Sequence, residues 1–309
     1  MENESSSPLA RAARALMEAD WVLVASGAGL SADSGLETYE ALGPDYDQLC
    51  RAELLYEDTE RFQNFWLSSL LKYRAQVPHE GFQVLEGLLR ERADMGRVYL
   101  YTSNVDGHLR QLRGFPLCEL HGCCEDWICS ARLTPEADHA PRWARVRAAQ
   151  EELLRGGTAC REPMTVRMEG GLEEVPLKCH CGLPLRPCVL MFGDEDEALL
   201  QQLQKAWAQY QCWEDAMEEE ISGSHLVILE IGVGRRVEVV RQETKGSEEC
   251  EEVLRDVNDK GGRTTLIRVN LDEEILSRTP AAHGSEIISL KMSALAFLRH
   301  IAQLVELHQ

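Results

Sequence analysis

A short apolar run that ends in glycines constrains the fold of this chain more than any other feature. Residues 21–25 have the length and β-branching of a buried strand, and the segment 27–31, Gly-Ala-Gly-Leu-Ser, leads into a stretch compatible with a helix. Glycines let backbone N–H groups come close to a ligand, and a helix N-terminus supplies partial positive charge for a phosphate. The Gly-x-Gly-x5-Gly spacing differs from the dinucleotide fingerprint, so the turn alone indicates either a phosphate site or close packing of a helix on a strand.

The rest of the chain alternates between strand-like and helix-like segments. Apolar runs predict further strands at 97–102, 116–120, 189–192, 225–231 and 264–269. Helical patterns begin at Pro8, with Ser7 in the N-cap position, and recur at 60–72, 79–92, 105–112, 195–220, 235–259 and 293–307. The segment 37–50 is rich in turn formers and predicts a loop. This alternation predicts an α/β fold, a Rossmann-like parallel sheet with helices on both faces.

One part of the chain does not follow this alternation of strands and helices. Residues 122–186 hold cysteines, prolines and glycines around a single helical pattern near 143–154, which predicts a small inserted module. The module would split a dinucleotide-binding domain into residues 8–121 and 187–309. The polar residues 1–7 predict a flexible tail.

Composition excludes several classes of function. The chain has 52 acidic and 32 basic residues and a formal net charge of -20, so it would repel a nucleic-acid backbone. No segment reaches the roughly 18 apolar residues of a membrane span, and the acidic start lacks a signal-peptide core. Eleven cysteines, an odd number, favour reduced thiols. We therefore expect an intracellular protein, cytoplasmic or nuclear and not secreted or membrane-bound, whose oligomeric state the sequence leaves open.

Polar side chains follow two of the predicted strands. Ser103, Asn104 and Asp106 come after the strand at 97–102, and His121 follows the strand at 116–120. Ligands of open α/β sheets bind at the carboxyl ends of strands, where an amide and a carboxylate suit ribose hydroxyls and a carboxamide. The same residues also suit simple helix caps, and a lone histidine is often structural. An imidazole that titrates near neutrality is equally suited to act as a general base.

Taken together, these motifs resemble those of the sirtuins, the NAD-dependent protein deacylases. The opening Gly-Ala-Gly-Leu-Ser, the Thr-Ser-Asn-Val-Asp of 102–106, the His-Gly of 121–122 and the Arg-Pro…Phe-Gly-Asp of 186–194 agree in order and spacing. The resemblance covers most of residues 20 to 300. It implies catalytic roles for His121 as general base, for Asn104 near the nicotinamide ribose and for Asp106 on the nicotinamide amide.

The resemblance also implies which residues contact NAD and the substrate. The cofactor-binding residues would be Gly27, Ala28, Gly29, Ser31, Tyr39, Ser103, Asn104, Asp106, Gly232, Val233, Gly234 and Asn270. The acyl-lysine peptide would add as a strand along Phe192, Gly193 and Asp194.

Several positions depart from the family pattern. Ser103 replaces a glutamine, Val233 and Gly234 replace two hydroxyl residues, and Glu40 reverses the charge of an arginine near the cofactor. These departures mark a divergent member.

A zinc site in the small module is the remaining candidate. The family's paired Cys-x2-Cys motifs are broken here, because the second pair is Cys-His-Cys at 179–181 and Arg132 stands where the partner of Cys129 is expected. Cys129, Cys160, Cys179 and Cys181 would supply the four ligands of a tetrahedral zinc ion. The alternative is a module that has no metal and packs its thiols in the core.

These observations predict an NAD-dependent protein-lysine deacylase, or deacetylase, a transferase that yields nicotinamide, free lysine and an O-acyl-ADP-ribose. One alternative is an NAD glycohydrolase or protein ADP-ribosyltransferase, in which water or another side chain captures the ADP-ribosyl group. A second alternative is a non-catalytic NAD-binding scaffold.

Overall fold

The computed structural model describes residues 7–38, 44–130, 165–167, 177–179, 182–192, 194, 196–234, 252–277 and 284–306. Within these ranges the strands are β1 (Trp21–Ser26), β2 (Val98–Thr102), β3 (Leu117–Glu119), β4 (Gly122–Cys129), β5 (Thr165–Arg167), β6 (Leu185–Val189), β7 (His225–Ile231), β8 (Arg263–Asn270) and β9 (Glu286–Lys291). The helices are α1 (Pro8–Glu18), α2 (Ala28–Ala32), α3 (Pro44–Leu49), α4 (Leu54–Glu57), α5 (Thr59–Ala75), α6 (Gly81–Asp94), α7 (Glu197–Glu220), α8 (Glu252–Asp259), α9 (Glu273–Ser277) and α10 (Ala294–Glu306).

Six strands form a parallel sheet in the order β3-β2-β1-β7-β8-β9. The order runs outward in one direction from β1 and in the other from β7, which is the doubly wound arrangement of Rossmann folds. The predicted α/β fold class is therefore confirmed. Because the strand order reverses between β1 and β7, a crevice for a ligand is expected at the carboxyl ends of these two strands.

Both faces of the sheet are buried, as strands with continuous apolar runs require. Successive side chains of β1 point to opposite faces: Val22 and Val24 pack with α1, α6 and α10, whereas Trp21 and Leu23 pack with α7 and α8. The helices on both faces were predicted from the sequence. None of the helices in the ranges described here is long and apolar enough to cross a lipid bilayer.

A second, three-stranded antiparallel sheet has the order β5-β4-β6. It packs against α4 and α5, where the fully buried amide of Gln63 donates to the carbonyl oxygens of Leu177 and Leu185, both at 2.8 Å. The sequence boundary between residues 186 and 187 falls inside β6. The division into a split domain and an inserted module stays a prediction, as does the flexible tail, since residues 1–6 lie outside the described residues.

Some elements differ from those predicted. The predicted loop at 37–50 contains helix α3, and the predicted helix at 105–112 is only a 3-10 turn, His108–Gln111, because Gly107 with φ +75° interrupts the helical path before it. The strand expected at 189–192 ends at Val189, and β9 has no counterpart among the predicted elements. The helical pattern near 143–154 lies outside the described residues.

Candidate active site

The polar segments predicted to bind a ligand lie together at the carboxyl edge of the parallel sheet. The glycine turn follows β1, the Ser103–Asp106 segment follows β2, His121 follows β3, and Gly232 follows β7. Parallel pairing of these strands brings all four loops to the same edge.

The two glycine turns contact each other through their backbones. Gly29 N donates to Gly232 O at 2.9 Å, and Gly27 N donates to Ile231 O at 3.2 Å. A Cβ added at Gly29 would lie 2.6 Å from the Cα of Gly232, and Gly232 itself has φ +65°. There is no room for a side chain where the two glycine turns cross. Close packing of the two turns therefore explains part of the need for glycine at positions 29 and 232.

An open cavity of about 300 Å³ lies beside this crossing. Predicted cofactor residues line it, together with the ends of β8, α2 and α10. The lining residues include Ala28, Gly29, Asp33, Gly232, Asn270 and Asp272. A cavity with bare glycine backbone on one wall and a mixture of apolar and polar side chains on the other fits the adenosine part of a dinucleotide.

Asn270 fixes the wall of this cavity. Its Nδ2 donates to Val233 O at 2.9 Å, and its Oδ1 accepts from Asp272 N at 3.0 Å. The side-chain amide thus ties the loop after β7 to the loop after β8. Asn270, predicted as a cofactor contact, already has both ends of its amide engaged with protein.

Asn104 joins the loop after β2 to the glycine turn. Its Nδ2 donates to Gly27 O at 3.0 Å and lies 3.4 Å from the hydroxyl of buried Ser31. Asp106 accepts from His108 N at 2.8 Å, which fixes the turn that presents it. Cys124 N donates to Val105 O at 3.0 Å, so the same loop is also held by β4.

His121 lies next to this loop and is partly buried. Its Nδ1 is 3.2 Å from Ser103 O, and its own carbonyl oxygen accepts from Leu190 N at 2.8 Å. Burial lowers the pKa of His121 from its usual value, and the hydrogen bond to Ser103 opposes this only in part. Burial therefore favours the neutral imidazole, which is able to accept a proton.

The segment predicted to bind a peptide follows β6. Phe192 is 58% exposed, and its N donates to Cys50 O at 3.2 Å. Asp194, in contrast, has a fully buried side chain that pairs with Arg186, with a distance of 2.8 Å from Nη1 to Oδ1. Asp194 Oδ2 also accepts from Met191 N at 3.1 Å. The carboxylate of Asp194 thus shapes the turn, and Phe192 is the exposed side chain.

The zinc prediction rests on four cysteines, of which the structure describes two. Cys129 and Cys179 are buried in one hydrophobic cluster with Leu177, Leu183 and Leu185. Across the described ranges, no group of three or more His, Cys, Asp or Glu side chains could hold a metal ion. Cys160 and Cys181 lie outside these ranges, as do the predicted contacts Tyr39 and Gly193. Zinc therefore stays a prediction.

Three residues of the site were missed by the sequence analysis. Asp33 and Asp272 line the cavity, and Arg186 anchors the substrate segment from beneath. The available signal for the two acids was their position, because Asp33 follows the first helical turn after the glycines and Asp272 lies in the loop after the predicted strand at 264–269. Arg186 is the first residue of the Arg-Pro…Phe-Gly-Asp motif, but only the fold shows that its side chain is buried.

No family model matches this chain. It is similar to curated proteins from distant organisms. NAD-dependent protein deacylase 2 of Pseudomonas aeruginosa is 30% identical over 210 residues, which cover 62% of this chain and 68% of that protein. NAD-dependent protein deacylase SIR4 of Monosiga brevicollis is 34% identical over 192 residues, covering 58% and 60%. The mitochondrial NAD-dependent protein lipoamidase sirtuin-4 of Bos taurus is 26% identical over 185 residues, covering 56% and 57%. The matches thus span between about three-fifths and two-thirds of these relatives' own length.

Solved structures share the fold over almost the whole chain. A crystal structure of a Sir2 homolog in complex with NAD superposes with a TM-score of 0.59 at 19% identity, covering 97% of this chain and 94% of that one. A complex of Sir2 with a p53 peptide and NAD+ superposes with a TM-score of 0.55 at 17% identity, covering 96% and 98%. At these identities the likeness establishes the architecture alone.

Proposed function

Because this chain belongs to the sirtuin family, we propose that it is an NAD-dependent protein-lysine deacylase. The observation that carries the proposal is an oriented imidazole, His121, whose pKa is lowered by burial and which lies at the same carboxyl edge of the sheet as the glycine-lined cavity. A scaffold that only binds NAD has no use for such a base.

The residues around the cavity suit NAD. The glycine turns at Gly29 and Gly232 leave room beside the adenosine half, and Asn104 and Asp106 lie toward the β2 and β3 side, where the nicotinamide half belongs. NAD supplies an anomeric carbon from which nicotinamide leaves and which takes up the acyl oxygen of the substrate.

His121 would act as the general base. Its Nε2 accepts the proton of a ribose hydroxyl, which makes that oxygen nucleophilic toward the acyl carbon. Nδ1 stays bonded to Ser103 O, so the ring keeps its orientation while the proton moves. One water molecule would then be consumed at the acyl carbon, so that the lysine would leave as a free amine and the acyl group would stay on ADP-ribose.

The segment after β6 would bind the substrate peptide. Phe192 is exposed beside the carboxyl edge, and the Arg186–Asp194 ion pair holds the turn behind it. An extended peptide that pairs with the segment after β6 would make main-chain hydrogen bonds, and such bonds tolerate many peptide sequences.

The proposed partner is therefore an acylated protein lysine, with no direct binding to nucleic acid or membrane. The charge of -20 disfavours nucleic acid and favours basic peptides. We also propose that the protein is intracellular, cytoplasmic or nuclear, because its eleven cysteines, an odd number, favour reduced thiols.

The proposal is tested with a panel of acetylated and longer-chain acylated lysine peptides. Each peptide is incubated with the enzyme and NAD, and all products are identified by mass. Deacylated peptide together with nicotinamide and O-acyl-ADP-ribose supports the proposal. If the products are nicotinamide and free ADP-ribose and every peptide is left intact, the protein is instead an NAD glycohydrolase.

A further inference from the structure

We propose that Thr102 is a positioning residue for the general base, because its hydroxyl group fixes the peptide unit whose carbonyl oxygen holds His121. The proposal rests on the proposed function, in which His121 takes a proton from a ribose hydroxyl. Thr102 is the last residue of β2 and its side chain is buried. It would therefore act through the loop that follows β2 and not on the substrate itself.

The hydroxyl group of Thr102 lies between the carboxyl ends of β1 and β2. It accepts from Ser26 Oγ at 2.9 Å and from Asn104 N at 3.1 Å, and it donates to Ser26 O at 3.2 Å. A hydroxyl group can donate once and accept twice, so all of its hydrogen-bonding capacity is used. Ser26 is also fully buried and lies opposite Thr102 in the register of the two strands. The pairing of β1 with β2 therefore holds this hydroxyl in one place.

The peptide unit between Ser103 and Asn104 connects this hydroxyl group to the base. The N–H of the unit donates to Thr102 Oγ1, and its carbonyl oxygen lies 3.2 Å from His121 Nδ1. A trans peptide unit is planar, and its N–H and C=O point in opposite directions. The bond that holds the N–H toward Thr102 therefore turns the carbonyl oxygen toward the imidazole.

Other hydrogen bonds hold the ends of this loop but not the rotation of that peptide unit. Ser103 N donates to Ser26 O at 3.2 Å, and Asn104 Nδ2 donates to Gly27 O at 3.0 Å. Neither bond involves the N–H or the C=O of the Ser103–Asn104 peptide unit. If that unit turns, His121 loses the acceptor that keeps the ring proton on Nδ1. The hydroxyl group of Thr102 thus supplies the restraint on which the orientation of the base depends.

Thr102→Val keeps the shape of the side chain but removes the hydroxyl group. We expect kcat for deacylation to fall by about ten- to a hundredfold, a smaller loss than for His121→Ala, because the base is still present but misoriented. Thr102→Ser keeps the hydroxyl group and should recover most of that loss. The hydrogen bond to Ser103 O raises the pKa of His121, so the acid limb of the pH–rate profile should move to lower pH in Thr102→Val.

Thr265→Val is the matched control. Thr265 is an equally buried threonine of the same sheet, and its hydroxyl group lies 2.9 Å from His225 Nε2. It is near the amino end of β8, whereas Thr102 is at the carboxyl end of β2. Both valine variants lose a buried hydroxyl group and should have a lower Tm. Thr265→Val should nevertheless keep the wild-type kcat and acid limb.

NMR of ¹⁵N-labelled histidine side chains in the full chain tests the proposal without any turnover. The spectrum of His121→Ala identifies the signals of His121 by their absence. The wild type and Thr265→Val should show the ring proton of His121 on Nδ1. Thr102→Val should show a mixture of the two tautomers, and Thr102→Ser should restore the wild-type spectrum.

The wild-type spectrum alone can overturn the proposal, because a ring proton on Nε2 would mean that Ser103 O does not hold the base. A folded Thr102→Val variant with the wild-type tautomer and acid limb would also overturn it, and so would a loss of kcat that Thr102→Ser does not recover. The expected tautomers in a chain that deacylates no peptide would reject the proposed activity and leave the positioning role of Thr102 standing.

Discussion

The imidazole Nδ1 of His121 lies 3.2 Å from the carbonyl oxygen of Ser103. A carbonyl oxygen can only accept a hydrogen bond, so Nδ1 must carry the ring proton and Nε2 presents a free lone pair. The backbone after β2 thus selects the tautomer that a general base requires. The contact is made by the backbone of Ser103, so it does not depend on the serine side chain that replaces the family's glutamine.

Replacing His121 with alanine should abolish most deacylation. General bases contribute a factor of about 10² to 10⁴, so the rate of peptide deacylation should fall within that range. NAD affinity, measured by calorimetry, should change little because the imidazole would act mainly after nicotinamide leaves. Wild-type deacylation by the alanine variant would remove His121 from the mechanism.

The acid limb of the pH–rate profile should lie below the usual histidine range. As pH falls through the pKa of His121, Nε2 becomes protonated and can no longer accept the ribose proton. Burial lowers that pKa from 6.5, so the midpoint of the acid limb of kcat/KM should lie below pH 6.5. A midpoint above 6.5 would contradict a buried neutral base.

Gly29→Ala should damage the cofactor site, whereas Gly87→Ala should not. A Cβ at position 29 would lie 2.6 Å from the Cα of Gly232 and 2.9 Å from its oxygen, so the two turns must separate. We expect a lower Tm and much weaker NAD binding. Gly87 lies inside α6 with nothing within 4 Å of an added Cβ, so alanine there should stabilise the fold by about 0.5–1 kcal/mol. Equal Tm values and equal NAD affinities in the two variants would argue against the close contact between Gly29 and Gly232.

Breaking the buried ion pair beneath the substrate segment should cost far more stability than breaking an exposed pair. Arg186→Met leaves the carboxylate of Asp194 buried without its cation, and such a loss costs about 3–5 kcal/mol. Arg299→Met removes an exposed pair with Glu80 and should have little effect. Urea unfolding of both variants gives the comparison, and similar midpoints would show that the Arg186 pair is dispensable.

The parallel sheet was predictable because its strands are buried on both faces. The predicted strand at 225–231 agrees with β7 at both ends, since a continuous apolar run has clear limits. Strand β9 escaped detection because it is an edge strand, Glu286–Lys291, whose polar ends are exposed. The antiparallel sheet escaped because β4 and β6 pair across about sixty residues, which no local pattern encodes.

The sequence predicted which loops form the site better than it predicted the hydrogen-bond partners of their side chains. The loops after β1, β2, β3 and β7 were found because parallel strands end at one edge. The partners of each side chain were not: Asn270 bonds Val233 and Asp272, and Asp194 bonds Arg186. Such pairs join residues far apart in sequence or on opposite sides of a turn, so only the fold shows which polar groups are already engaged.

The most direct test of the account counts nicotinamide against freed lysine. The enzyme is incubated with NAD and a fluorescently labelled acyl-lysine peptide, and both products are quantified in the same samples over time. An NAD-dependent deacylase should release one nicotinamide for each lysine freed, and very little nicotinamide without peptide. Nicotinamide release at the same rate with and without peptide, with no lysine freed, would contradict the account.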